Sequence, residues 1–187
     1  MLKIYLRKTA LVVAILIGIV AQSSASKNYW NDIPVSVAKK TATTNIVFPE
    51  KFRSLSLNYE VLKSTLLSAP ISDFYAAKGL NSVNIDIPMP YGSFETFKVL
   101  ETPMMEEELA KKYSEIKTYT GVSVQNPQNI VKIDIGPYGF HAMVLSNDGR
   151  YFINPISNNT TTEYMSFYRR DLPSWANTFN CSIAAGL

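Results

Sequence analysis

His141 is the chain's only histidine and Cys181 its only cysteine. A helix that presents two imidazoles to one metal, as H-E-x-x-H does, therefore cannot be built from this sequence. His141 alone could serve as acid, base or ligand, but each role needs a partner, and no second histidine or cysteine stands near it. Its sequence neighbours are apolar, so a hydrogen-bonded structural histidine is the favoured reading. Cys181 excludes an intramolecular disulfide; in an exported chain a leftover thiol stands for intermolecular pairing, a metal ligand or an inert side chain. Serine is abundant, yet no Gly-x-Ser-x-Gly nucleophile turn occurs. Glu106, Glu107 and Glu108 invite a metal reading, but consecutive helical side chains diverge by about 100°. Acids followed by Lys111 and Lys112 instead fit the dipole of a short helix. Asn158-Asn159-Thr160 and Asn180-Cys181-Ser182 match the N-glycosylation pattern and read as turn residues. Tyr164, Phe167, Tyr168, Trp175 and Phe179 fit either a carbohydrate stacking platform or ordinary core and edge-strand packing.

The first 25 residues decide where these groups are delivered. Lys3, Arg7 and Lys8 precede an apolar run from Ala10 to Ala21, and Ser23-Ser24-Ala25 supplies small residues before a cut: residues 1–25 read as a secretory signal peptide. The run is shorter than the roughly 18 to 20 residues that span a bilayer, so no membrane attachment is expected after cleavage. Three of the 18 basic residues and none of the 15 acidic ones lie before Ser26, which leaves the exported chain with 15 of each. That balance removes the case for nucleic acid as a partner. The pairs Lys39-Lys40, Lys111-Lys112 and Arg169-Arg170 are scattered and read as solvated faces. About 160 residues remain, enough for one domain with a sizeable core.

The elements that must position the chemistry follow from periodicity. Residues 26–51 show no sustained period and read as an extended leader whose Trp30 docks on the domain. Phe52 to Leu57 is a strand with Leu55 and Leu57 on one face. Asn58 then caps a helix carrying Leu62, Leu66 and Leu67, which Pro70 stops. Val83, Ile85 and Ile87 alternate with polar residues, Pro88 to Gly92 turns, and Phe94 to Leu100 returns. A short helix covers the three glutamates and the following lysines. Val131, Ile133 and Ile135 alternate with Lys132 and Asp134, Gly136 to Gly139 turns, and Phe140 to Leu145 is apolar on both faces. Asn147-Asp148-Gly149 marks a hairpin to Arg150–Ile156, and Glu163 to Arg169 adds an edge strand. The expectation is an α+β fold: one domain over residues 52–170, an antiparallel sheet with two short helices, and a tail over residues 171–187.

Several of these segments carry a resemblance. Met105-Glu-Glu-Glu-Leu-Ala110, Ser114-Glu-Ile-Lys-Thr-Tyr-Thr-Gly121 and Gly136-Pro-Tyr-Gly-Phe-His-Ala-Met-Val-Leu145 resemble, in order and separation, the N-terminal pro-region of secreted reprolysin-like zinc metallopeptidases of Bacteroidetes-type bacteria. Leu55 to Pro70 extends the resemblance more weakly, and Phe179-Asn180-Cys181 ends it. Glu107 and Ser114 stand where that family has proline. The resemblance implies a non-catalytic exported domain that inhibits a zinc metallopeptidase or assists its folding, in cis or in trans; no cofactor is expected. It also gives Cys181 a role: a thiolate can take the open fourth position of a catalytic zinc at about 2.3 Å and exclude the nucleophilic water. Asn180-Cys181-Ser182-Ile183 lacks the Cys-Gly pair of many such switches. The alternative is a free-standing exported binding or surface module without any protease partner.

Overall fold

The computed structural model describes residues 29–41, 46–72, 82–157 and 160–174. Among them are β1 (Trp30–Asp32), β2 (Arg53–Leu57), β3 (Val83–Pro88), β4 (Phe94–Glu101), β5 (Lys117–Ser123), β6 (Ile130–Gly136), β7 (Gly139–Ser146), β8 (Gly149–Pro155) and β9 (Glu163–Tyr168). They form one nine-stranded sheet in the order β1-β2-β9-β8-β7-β6-β5-β4-β3. Every neighbouring strand pair is antiparallel. The helices are few and minor beside it: α1 (Val35–Thr41), α2 (Tyr59–Leu67), α3 (Glu107–Lys112) and a single 3-10 turn at Arg169–Asp171.

Alternation along the strands separates a core face from an outer face. Val131, Ile133 and Ile135 are buried while Lys132 and Asp134 between them are exposed, and β7 answers with Phe140, Ala142 and Val144 inward. Residues of one face stand opposite one another because side chains in strands alternate with period two. The β6–β7 turn ends on Gly139, whose φ of +101° favours glycine, and a Cβ there would lie 2.8 Å from the Tyr164 hydroxyl. Gly121 is required for a different reason. It stands between Val99 of β4 and Val131 of β6 in one inward row, and a Cβ would meet their methyl groups at 2.8 and 2.9 Å. The missing side chain lets the strands bend around the core.

The sheet curls until its two ends meet through side chains. Trp30 on one edge strand donates from Nε1 to the carbonyl oxygen of Asp86 on the other at 3.0 Å. Ser166 of β9 donates to the carbonyl of Pro88 at 2.8 Å, and Arg53 of β2 reaches the carbonyls of Met89 and Ser93 at 3.3 and 3.1 Å. The result is a half-barrel in which two carbonyls of the β3 edge, those of Asp86 and Pro88, are covered. The Trp30 ring meets Phe140 and Tyr164 edge-on at centroid separations of 5.7 and 5.4 Å, the arrangement that ring quadrupoles favour. Helix α2 contributes Leu62 and Leu66 to the same core, and its Tyr59 hydroxyl donates to the Gly136 carbonyl at 3.1 Å. Asn58 caps it by accepting from the Val61 amide, as its position predicts.

A second, smaller cluster lies on the outer face. Ala38 of α1 covers Ile156, Met165 and Phe167, with Phe48, Phe52 and Phe152 around them.

Four sequence expectations change. Leu67 does not join Leu62 and Leu66 but stands exposed, because it lies one position past the buried stripe. The stretch read as an extended leader contains β1 and α1, so the sheet begins at Trp30 rather than at Phe52. Glu163–Tyr168 is no edge strand: it lies inside the sheet between β2 and β8, which explains its nearly complete burial. Lys117–Ser123, within the resemblance, is a strand that alternation had not marked, since Gly121 and Ser123 hold inward positions where an apolar residue would be expected. Residues 1–25, read as the signal peptide, lie outside the described residues, as does the tail beyond residue 174.

Candidate functional site

The outer face of β5 to β8 carries a groove of about 310 Å³. His141 and Asp134 face each other there across the β6–β7 pair, with Nδ1 and Oδ2 3.0 Å apart. A carboxylate accepts only, so Nδ1 carries the proton in this pair. Both side chains are partly exposed, and water screens the pair, so its effect is to orient the ring more than to stabilise the fold. Lys132, one step along β6, donates to the Thr120 hydroxyl at 2.9 Å, and Thr120 shares a hydrogen bond of 2.9 Å with Thr102. Asn154 and Thr118 extend the polar part of the groove, and Met104, Met143 and Phe152 supply its apolar part. Thioether side chains adapt to varied partner shapes. Chemically the groove combines an imidazole held by a carboxylate, an ammonium group, an amide and soft apolar side chains.

Two polar groups lie on the core side of the same sheet. Glu95 is buried and accepts from the Asn129 amide at 2.8 Å and from the Tyr151 hydroxyl at 3.2 Å. Burial, then the Glu95 charge, pushes the Tyr151 phenol far above its ordinary range. Glu101 pairs with Lys117 at 2.9 Å. The Tyr119 hydroxyl beside it is buried without a hydrogen-bond partner among the described residues, and burial followed by the Glu101 charge pushes its pKa up as well.

Of the residues singled out in the sequence, His141 lies in the groove, and its partner is an aspartate rather than a second histidine or cysteine. A signal for that pairing was available: the two-residue turn Pro137-Tyr138 places position 134 opposite 141 by counting back along an antiparallel pair. Glu107 sits in the first turn of α3 and pairs with Lys111 at 2.8 Å, so the acids and lysines act along the helix as expected. Tyr164, Phe167 and Tyr168 form no stacking platform. All three are buried, with Phe167 on the face opposite the other two, because β9 is an interior strand. Cys181, Trp175, Phe179 and both glycosylation asparagines lie outside the described residues. Among the described residues no three of His, Cys, Asp and Glu gather as a metal-binding group, and no helix is long and apolar enough to cross a membrane.

The described strands form a curled antiparallel half-barrel whose outer face carries a groove of mixed polar and apolar lining. Compared with family models, curated proteins and solved structures, the chain matches none.

Proposed function

We propose that this chain is an exported, non-catalytic domain that docks on a zinc metallopeptidase catalytic domain and restrains it or helps it to fold. The observation that carries the reading is a convergence. The segments Ser114–Gly121 and Gly136–Leu145, which bear the resemblance to metallopeptidase pro-regions, lie on β5 and β7 with only β6 between them. Their Thr118, His141 and Met143 line one groove together with Met104, the neighbour of the first resembling segment. The oriented imidazole and the methionines give that groove the means to hold a protein surface. Cys181 is the thiolate that would close the open zinc position of the partner.

Inhibition of a matched catalytic domain by the full exported chain tests the reading. Wild type lowers peptidase activity or raises the yield of refolded catalytic domain, and His141→Ala with Met143→Lys weakens that effect. Cys181→Ala weakens inhibition far more than Ser182→Ala if the thiolate binds the zinc; equal inhibition constants leave occlusion by the folded sheet as the mechanism. A wild-type chain that neither inhibits nor assists any such catalytic domain would overturn the proposal in favour of a free-standing exported binding module.

A further inference from the structure

Arg150 and the pair Arg169-Arg170 are far apart in sequence, yet the β8–β9 pairing brings them to one depression of about 400 Å³, lined also by Gly149 and Tyr168. Tyr151 and Tyr168 are the last cross-strand partners before this point, and Arg150 and Arg169 stand one residue beyond them. Arg170 is fixed: its guanidinium lies 4.0 Å from the Tyr168 ring centroid and donates to the Asp148 carbonyl at 2.7 Å. Arg150 and Arg169 are different. Among the described residues neither makes an ion pair or a side-chain hydrogen bond. The carboxylates nearby are Asp148 and Asp171, and Asp171 already accepts from the Tyr91 hydroxyl at 2.6 Å.

Like charges held at neighbouring cross-strand positions repel, and the Asp148 and Asp171 carboxylates, neither of them paired with Arg150 or Arg169, offset that repulsion only in part. Guanidinium groups present planar forks that match the oxygens of a carboxylate or phosphate two at a time. We propose that Arg150 and Arg169 form an oxyanion site, with Arg170 held alongside by Tyr168 as a third cation. The bearer of the oxyanion is an acidic peptide segment or a phosphoryl group, since both offer the same paired oxygens. This site lies apart from the His141 groove and does not depend on the metallopeptidase reading.

The test is a titration of the ¹⁵N-labelled exported chain, following the arginine Nε–H signals. Inorganic phosphate and an acetylated tetraglutamate amide are the probes, with sodium chloride at matched ionic strength as reference. A saturable shift of the Arg150 and Arg169 signals with either probe is expected. Phosphate alone identifies a phosphoryl bearer, the peptide alone an acidic protein segment, and a response to both supports the shared chemistry. Arg150→Gln and Arg169→Gln, checked for an unchanged backbone spectrum, each weaken binding about threefold or more, the scale of an exposed charge pair. Lys98→Gln, on the distant β4, leaves it unchanged. A response no larger than that to sodium chloride, or one that survives the double Arg150→Gln, Arg169→Gln change, would overturn the proposal.

Discussion

Trp30 and Asp86 lie at opposite ends of the nine-stranded order, yet the Trp30 indole donates to the Asp86 carbonyl at 3.0 Å. Antiparallel ladders hold each strand to its neighbour, but only side chains hold the first strand to the last. Trp30 therefore does two jobs: its ring fills the core against Phe140 and Tyr164, and its N–H closes the open side of the half-barrel.

The two jobs separate on mutation. Trp30→Phe keeps an aromatic ring but loses the donor, and should cost about 1 kcal/mol for the hydrogen bond plus part of the lost volume. Trp30→Ala should cost about 3 to 5 kcal/mol, the range for deleting a buried large aromatic. Urea denaturation of both variants measures this. Equal losses would show that the bond, not ring packing, dominates.

Gly121→Ala tests the bend in β5. The added methyl meets Val99 and Val131 at under 3 Å, so the flanking strands must part or the side chains leave their rotamers. The expected loss is about 1 to 3 kcal/mol. The double change Gly121→Ala, Val131→Ala should recover part of it, because it frees the space the methyl needs. A single variant as stable as wild type would show that the strands yield freely there.

Alkaline pH should unfold the domain before its core tyrosines ionise. Burial is the main cause that pushes Tyr119, Tyr151 and Tyr164 above the usual phenol range, with Glu95 adding to it at Tyr151. The unfolded chain releases these protons near pH 10. The folded chain keeps them, so it binds more protons and stability falls as pH rises above that value. Each tyrosine contributes a slope of about 1.4 kcal/mol per pH unit. Tyr151→Phe should make the decline shallower by one such increment. Phenolate absorbance that rises smoothly with pH while the far-ultraviolet spectrum stays native would contradict this.

The strands from Val83 to Leu100 and from Val131 to Ile156 were legible because their information is local. Period-two alternation marks the buried face, and Pro88–Gly92, Gly136–Gly139 and Asn147–Gly149 carry the turns that make each strand pair with the next. Asn58 and Pro70 likewise bound α2 by backbone chemistry within one turn of each helix end. The turn length even contained the Asp134–His141 pairing, since register in a hairpin follows from the loop. The fate of Glu163–Tyr168 and of Trp30–Asp32 was not local. A strand's place at an edge or in the middle depends on which distant segment hydrogen-bonds its second side; for β9 that segment is β2, more than a hundred residues earlier. The β8–β9 pairing likewise brought Arg150 beside Arg169, a neighbour that the sequence reading of Arg169-Arg170 as a solvated pair did not include. Sequence alone determined which residues of β3 and β6 face inward and where the chain reverses after β3, β6 and β7, because both follow from backbone geometry over a few residues. Only the tertiary structure decided the strand order, the Trp30–Asp86 closure and the clusters on the outer face, because these depend on where sheet curvature brings distant segments together.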